Sequence, residues 1–191
     1  MYGPKYVKVD SALSGGEGVI RIALISTGGT IEKTYDELHG VLSNQVSNLD
    51  VLLAKLRLQG VELIRVPLMN KDSLYMTPDD HTLIADMTSN MAEVHDGVVI
   101  VHGTDNLVRT GNRITELLRT PKVPIVLTGA MRPFQLRTTD ALQNMTEALL
   151  AVQLVPPGVW LAMHNQVLLF PGIMKDKEHG IFRRADDTRS S

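Results

Sequence analysis

Hydrophobic positions along the chain fall into two patterns, short continuous runs and longer stretches with helical spacing. The run VIRIALIS at 19–26 is rich in β-branched residues and is typical of a strand buried on both faces. Strands of this type are predicted over 19–26, 61–68, 97–103, 123–129, 158–164 and 166–170. Helices are predicted over 47–58, 77–94, 106–120 and 139–154, the second with Thr77 as its N-cap and the third weakened by Gly111.

The regular alternation of strands and helices predicts an α/β fold. We expect a doubly wound, mostly parallel sheet with helices on both faces and a flavodoxin-like strand order of 2-1-3-4-5. A single domain is predicted over 19–182. The flanking stretches 1–18 and 183–191 lack a hydrophobic period, which predicts a flexible arm, native or a tag remnant, and a flexible tail.

Composition narrows the function classes. The 191 residues include no cysteine, which excludes thiol catalysis, cysteine-ligated zinc and disulfides. The net charge is −2 with no clustered basic face, so no nucleic-acid partner is expected. No apolar run is long enough to span a bilayer, and the first residues lack the apolar core of a secretory signal, so we predict a soluble, cytoplasmic protein without a membrane partner.

Four loops that follow predicted strands are rich in Thr, Ser, Asp and Gly. In an open α/β sheet, ligands bind beyond the carboxyl ends of the strands, where the strand order reverses. The loops after strands one, two, three and four should therefore meet at one edge of the sheet. These loops are STGGT at 26–30, KDSLYMTP at 71–78, HGTD at 102–105 and TGAMRP at 128–133.

The residue types in these loops suit a small zwitterion. Thr30 follows two glycines, which allow a sharp turn and a close approach to a ligand. Thr104 and Asp105 place a second hydroxyl beside a carboxylate that suits an α-ammonium group, and Ser73 suits an α-carboxylate. A phosphate site is the alternative, but the chain has no G-x-G-x-x-G or Walker lysine here, and Asp105 would repel an anion.

The motifs STGGTI, MTPDD, HGTD and TGAMRP together resemble the bacterial-type L-asparaginases. The resemblance covers residues 20 to about 182 and implies the fold of the asparaginase N-terminal domain. The large members of that family carry a second domain, which supplies an acid to a neighbouring subunit's site. This chain ends where that domain would begin and has Leu74 where a polar residue is common. Its short loop, with Tyr35 close to Thr30, looks like that of the short single-domain members, so we expect a natural end rather than an artificial truncation.

The resemblance implies a role for each matching residue. Thr30 corresponds to the primary nucleophile, and Tyr35 is the tyrosine on the loop that follows it. Thr104 and Lys175 correspond to the second catalytic threonine and the lysine that pairs with it.

The remaining matches are to substrate-binding positions. Ser73 matches the serine that binds the α-carboxylate, and Asp105 the aspartate that binds the α-ammonium group. Ala130 matches a position whose backbone faces the substrate amide. From the residues alone, Asp72 is expected to be a solvated loop acid and His102 a hydrogen-bonded structural residue.

The sequence therefore predicts hydrolysis of the side-chain amide of L-asparagine, through an ester of Thr30, to L-aspartate and ammonia. No cofactor and no metal are expected, and the family implies a homodimer or homotetramer. Two alternatives stay open. One is a non-catalytic asparagine-binding or regulatory module, and the other is the ammonia-generating subunit of a tRNA-dependent amidotransferase.

Overall fold

The computed structural model describes residues 18–36, 41–43 and 48–186, with only the backbone for 34–36 and 41–43. The predicted arm, apart from Gly18, and the last five residues of the predicted tail lie outside this part. The strands are β1 (Ile20–Gly28), β2 (Thr34–Asp36), β3 (Val41–Ser43), β4 (Val61–Lys71), β5 (Gly97–Val101), β6 (Pro124–Thr128), β7 (Gly158–Met163), β8 (Gln166–Leu169), β9 (Ile173–Asp176) and β10 (Ile181–Arg184). The helices are α1 (Leu49–Leu53), α2 (Pro78–Ala92), α3 (Leu107–Leu117) and α4 (Ala141–Leu154), with single 3₁₀ turns at Thr30–Glu32 and Ser73–Tyr75.

Six strands form the central sheet in the order β4-β1-β5-β6-β7-β8. The first five are parallel, and β8 pairs antiparallel with β7. Because β1 pairs with both β4 and β5, the strand order reverses beside β1. The predicted order 2-1-3-4-5 is thus confirmed, and the loop after β1 lies at the switch point.

Both faces of the sheet are covered by helices, as the continuous apolar runs predicted. Alternate residues of β1 serve the two faces. Ala23 and Ile25 belong to the cluster that includes residues of α2 and α3, whereas Ile22 and Leu24 belong to the cluster of α1 and α4. All four are fully buried. In the described part of the chain, no helix is both long enough and apolar enough to cross a bilayer.

The predicted start of α2 is confirmed in detail. Thr77 is the N-cap, its hydroxyl accepts from the Asp80 N–H, and the Asp80 carboxylate accepts from the Thr77 N–H at 2.6 Å. This reciprocal capping box satisfies two backbone donors that a helix leaves free. Asp80 also pairs with Lys71 at the end of β4, so the cap fixes the start of α2 to the sheet.

Three features differ from the prediction. Helix α1 has five residues rather than the twelve predicted, because Lys55 and Leu56 already bond three residues back, to Leu52 and Leu53, as in a 3₁₀ turn. The hairpins β2–β3 and β9–β10 were not predicted, since strands of three or four residues show too little alternation. Strand β10 continues to Arg184, two residues beyond the predicted end of the domain.

Gly111 in the middle of α3 has a packing role. A Cβ at this position would overlap the ring of Phe170, which is 4% exposed. The helix therefore tolerates a weak helix former because the absent side chain leaves space for an aromatic ring.

We expect Gly111→Ala to destabilise the protein by roughly 1–3 kcal/mol, because the ring must move out of a packed core. This loss exceeds the gain of about 1 kcal/mol that alanine brings to a helix. Urea unfolding followed by circular dichroism measures the difference. Asn90→Ala, at an exposed position of α2, is the control and should be neutral or slightly stabilising; a stabilised Gly111→Ala would contradict the packing role.

A buried chain of hydrogen bonds connects α2, α3 and the end of β5. The His102 Nδ1 lies 2.8 Å from the Gly103 carbonyl oxygen, which can only accept, so Nδ1 carries the proton. The pKa of His102 is lowered to about 4, mainly by burial, so its ring is neutral at pH 7. His102 Nε2 must then accept from the Thr110 hydroxyl at 2.8 Å.

The direction of this chain continues to His81. Because the Thr110 hydroxyl donates its hydrogen bond to His102, the Thr110 oxygen accepts a hydrogen bond from His81 Nδ1 at 2.7 Å. The alternative acceptor for that hydroxyl, the Asn106 carbonyl, is 3.5 Å away. His81 is also neutral at pH 7, since burial and the nearby Arg109 lower its pKa, and its Nε2 is left without a proton. The expected structural role of His102 is thus confirmed.

Acid should destabilise the fold through His102. Between the ordinary histidine pKa of 6.5 and about 4, the unfolded chain binds the proton and the folded chain does not. This contribution is fully present above pH 6.5 and is lost as the pH falls toward 4, for a total of roughly 3 kcal/mol. Unfolding free energies of the wild type and His102→Gln, measured from pH 7 to 4.5, should converge on acidification; parallel curves would contradict this assignment.

Candidate active site

Glycine contacts bring the predicted loops together at the carboxyl edge of the sheet. Gly29 has a φ of 82°, and a Cβ there would lie 2.5 Å from both the nitrogen and the Cα of Gly103. A Cβ on Gly103 would lie 2.5 Å from the Ser73 hydroxyl oxygen. The loops after β1 and β5 therefore pack backbone against backbone, and the Gly103 backbone packs against the Ser73 side chain of the β4 loop, at distances that a Cβ on either glycine would prevent.

Thr30 opens the 3₁₀ turn that follows these glycines. The turn is closed by bonds from Glu32 N to Gly29 O and from Lys33 N to Thr30 O, each 3.2 Å. Glu32 is 2% exposed, and its carboxylate accepts from the Gly28 N–H. Thr30 itself is half-buried at the edge of this rigid turn.

Thr104, Asp105 and Lys175 form one hydrogen-bonded group. The Lys175 ammonium donates to the Thr104 hydroxyl oxygen at 2.9 Å and to the Asp105 Oδ1 at 2.7 Å. Thr104 is 5% exposed and the Lys175 side chain 15%, whereas the Asp105 side chain is 41% exposed. The lysine is thus buried against a hydroxyl, and the carboxylate keeps a face open to a ligand.

The position of Lys175 depends on the β9–β10 hairpin. Lys175 lies in β9 opposite Phe182 of β10, and Phe182 is 2% exposed. Ile173, at the start of β9, is also buried, so the hairpin is anchored in the core on both strands. This anchoring positions the Lys175 ammonium group next to Thr104, which lies 71 residues earlier in the sequence.

Ser73 and Ala130 lie in the two neighbouring loops. Ser73 is 1% exposed, and its hydroxyl oxygen has no hydrogen-bond partner within the described part of the chain. Its carbonyl accepts from the Asn106 side chain, which ties the β4 loop to the residue after Asp105. Ala130 is fully buried and packs in the apolar cluster of α4, so only its backbone is free to serve a ligand.

The loop that holds Ala130 is fixed by Asp140. Its carboxylate accepts from the Met131 and Arg132 N–H groups, each at 2.9 Å, and pairs with His164 at 2.7 Å. Burial opposes ionisation, but these hydrogen bonds outweigh it and keep the pKa of Asp140 below its usual value. The β6 loop is therefore held to the start of α4 and to His164 after β7 by a charged residue.

One ion pair of the site was missed from the sequence. Lys33 Nζ lies 2.8 Å from Asp72 Oδ2, and Asp72 Oδ1 accepts from the Leu74 N–H. Burial would raise the pKa of Asp72, but the bonds from Lys33 and Leu74 hold it below its ordinary value. The expectation of a solvated loop acid was wrong, because Asp72 joins the Thr30 turn to the Ser73 turn. Lys33 lies only three residues after Thr30, and this closeness was the signal in the sequence that could have placed Lys33 at the site.

Tyr35 is placed only by its backbone. It pairs with Leu42 in the β2–β3 hairpin, directly after the Thr30 turn. Its side chain lies outside the described part, so its catalytic role stays a prediction. The other six predicted site residues lie in adjoining loops or contact them. Among the described residues, no group of three or more His, Asp or Glu side chains could hold a metal ion.

Comparison with known proteins agrees with this arrangement. Residues 21–180 match the family described as Asparaginase, N-terminal. An L-asparaginase of Thermococcus kodakarensis is 28% identical over 162 residues, covering 85% of this chain and 49% of the relative. A glutamyl-tRNA(Gln) amidotransferase subunit of Haloquadratum walsbyi is 35% identical over 156 residues, covering 81% of this chain and 35% of the relative.

Solved structures give the same result. The thermostable L-asparaginase from Thermococcus kodakarensis superposes with a TM-score of 0.77 at 29% identity, over 86% of this chain and 51% of that one. The probable cytoplasmic L-asparaginase from Campylobacter jejuni has a TM-score of 0.65 at 29% identity, over 82% and 48%. This chain thus spans about half the length of these two enzymes. From the family match and the shared fold, it follows that the chain belongs to the asparaginase family.

Proposed function

We propose that this chain hydrolyses the side-chain amide of L-asparagine to L-aspartate and ammonia, with Thr30 as the nucleophile. The observation that carries the proposal is the bonded group of Thr104, Lys175 and Asp105, whose loop packs against the glycines before Thr30. It places two hydroxyls, a lysine and a partly exposed carboxylate at one edge of the sheet. Such a set can bind an amino acid and cleave its side-chain amide without a cofactor.

The substrate would be held at both charged ends. Ser73 has a buried hydroxyl without a partner in the described residues, and this hydroxyl would donate a hydrogen bond to the α-carboxylate. The α-ammonium group would donate to Asp105, which uses only Oδ1 for Lys175 in the absence of substrate. The side-chain amide would then lie between the Thr30 turn and the backbone of Ala130.

The reaction would proceed in two steps. The Thr30 oxygen attacks the amide carbon, backbone N–H groups near Thr104 stabilise the oxyanion, and ammonia leaves with a proton added to the amide nitrogen. Tyr35, on the hairpin after Thr30, would assist removal of the Thr30 proton. A water molecule activated at Thr104 and Lys175 then attacks the β-aspartyl ester, which releases aspartate and restores the Thr30 hydroxyl.

The amidotransferase relatives support a second candidate, in which the same chemistry supplies ammonia to a partner protein. The two candidates share the proposed nucleophile and differ in the partner. Copurification from cells, with the full chain and with a version lacking residues 1–18, separates them: a stoichiometric protein partner favours the second candidate. A cytoplasmic location, supported by the Campylobacter jejuni neighbour, and a homodimer or homotetramer belong to the first.

Thr30→Ala should lower the rate of ammonia release from L-asparagine by about 10⁴-fold or more, as loss of a nucleophile does in other acyl-transfer enzymes. Ammonia release by purified protein of matched folded content is the measurement. The control is Thr27→Ala in the same loop, because the Thr27 hydroxyl is already bonded to the Val101 carbonyl at 2.9 Å. Thr27→Ala should lose stability yet keep most of its turnover; equal activity losses in both variants would sink the assignment of Thr30.

Asp105→Asn should raise the KM for L-asparagine, because it removes the partner of the α-ammonium group. A lost charged contact of about 2–3 kcal/mol corresponds to roughly 30- to 150-fold. The matched substrate is succinamate, which has the same amide and carboxylate but no ammonium group. With succinamate the wild type and the variant should have similar KM values. The same penalty with both substrates would mean that Asp105 acts only through Lys175.

A further inference from the structure

A cavity apart from the candidate active site lies between α2 and α3, the two helices on one face of the sheet. It is an open cleft of about 800 Å³, lined by residues of both helices. Its lining includes none of the predicted site residues. The volume is in the range of small-molecule sites, and the residues that matter for its chemistry are His81, Arg109, Asn112, Arg113 and Glu116.

Two side chains that line the cleft carry buried polar atoms without partners. These are the His81 Nε2 and the Asn112 Oδ1, and neither has a hydrogen-bond partner among the described residues. His81 is only 2% exposed. Leaving a buried acceptor unpaired costs about 1–3 kcal/mol, so native proteins pair nearly all of them. A ligand that brings hydrogen-bond donors beneath the rim of the cleft recovers this free energy.

The tautomer of His81 determines which kind of group it needs. The one-way chain from His81 through Thr110 to His102 leaves His81 Nε2 as an acceptor. An oxyanion without a proton cannot donate to it, whereas a hydroxyl on the ligand can. The ligand must therefore carry at least one proton on an oxygen or nitrogen.

The charges of the cleft favour an anion. Arg109 and Arg113 lie four residues apart on α3 and thus on the same side of the helix. Arg113 is held by the Thr82 hydroxyl at 3.3 Å and by Glu116 at 3.6 Å. Arg109 is exposed and forms no ion pair with any described residue, so it is free to reach a ligand. Two guanidinium groups and one carboxylate leave the lining with a net positive charge.

We propose that the α2–α3 cleft is a second ligand site, for a protonated phosphoryl group. Its anionic oxygens would accept from Arg109 and Arg113, and its P–OH would donate to His81 Nε2. Free phosphate shares this chemistry with the monoanion of a phosphate monoester, whose second pKa is about 6, and planar guanidinium forks suit both. The hydrogen-bond chain from His81 ends at the Gly103 carbonyl, next to Thr104, so the ligand completes a chain that reaches the candidate active site.

Sulfate is the matched comparison, because it has the shape and charge of the hydrogen phosphate dianion but no proton near neutral pH. Isothermal titration of the full chain at pH 7 and constant ionic strength should show inorganic phosphate binding at least tenfold tighter than sulfate. Arg109→Gln should weaken phosphate binding tenfold or more, whereas Arg119→Gln, an exposed arginine beyond the end of α3, should not. His81→Phe should remove the preference for phosphate over sulfate.

Other results would overturn the site. One is no binding of phosphate at 20 mM, a concentration on the order of a hundredfold above a 0.2 mM Kd. The others are equal affinities for phosphate and sulfate, and equal effects of Arg109→Gln and Arg119→Gln on phosphate binding. If His81→Phe does not fold, two other measurements still test the site. These are the comparison of Arg109→Gln with Arg119→Gln, and the change in the ¹⁵N chemical shift of His81 Nε2 when phosphate is added. Titration with glycerol 1-phosphate identifies the source, with its affinity expressed per protonated monoester because the second pKa of a monoester is about 6. Binding comparable to that of phosphate indicates a monoester, and at least tenfold weaker binding indicates free phosphate.

Discussion

Close contact between glycine backbones is the constraint on which the candidate site depends. The sheet order brings the ends of β4, β1 and β5 side by side, but strands about 5 Å apart still carry loops that side chains would push apart. Gly29 lies against Gly103, and Gly103 against Ser73, so three loops collapse into one surface. Thr30, Ser73 and Thr104 each lie in or next to one of these contacts, and the glycines therefore bring these three hydroxyl-bearing residues onto one surface.

Charged groups then hold the surface that the glycines create. Lys33 and Asp72 join the Thr30 turn to the Ser73 turn, and Asp140 binds the β6 loop through two backbone N–H groups. Lys175 reaches Thr104 from a separate hairpin. The Lys33–Asp72 and Lys175–Thr104 contacts join segments that are distant in sequence. The site thus gains rigidity from a few partly buried polar contacts, while the apolar clusters lie below it.

Much of the fold and part of the site could be predicted from the sequence, for identifiable reasons. The long runs of β1 and β5 and the capped start of α2 have strong local signals, and the rule for parallel sheets then places the loops after β1, β4 and β5 together. The β9–β10 hairpin has no such signal, because its four-residue strands are stabilised by burial of Ile173 and Phe182 against distant elements. Lys175 could be named by resemblance, but its contact with Thr104 could not be derived. The Lys33–Asp72 pair was missed for a similar reason, since a pair across 39 residues depends on tertiary structure.

Helix α3 connects the candidate active site with the α2–α3 cleft. It begins directly after Asp105 and Asn106, and Asn106 binds the Ser73 carbonyl. One turn later Thr110 receives the hydrogen bond from His81, and Gly111 packs under Phe170. The buried chain through His102 adds a second connection, from His81 to the Gly103 carbonyl. Because both connections end at the loop that carries Thr104 and Asp105, the α2–α3 face and the carboxyl edge of the sheet share one hydrogen-bonded framework.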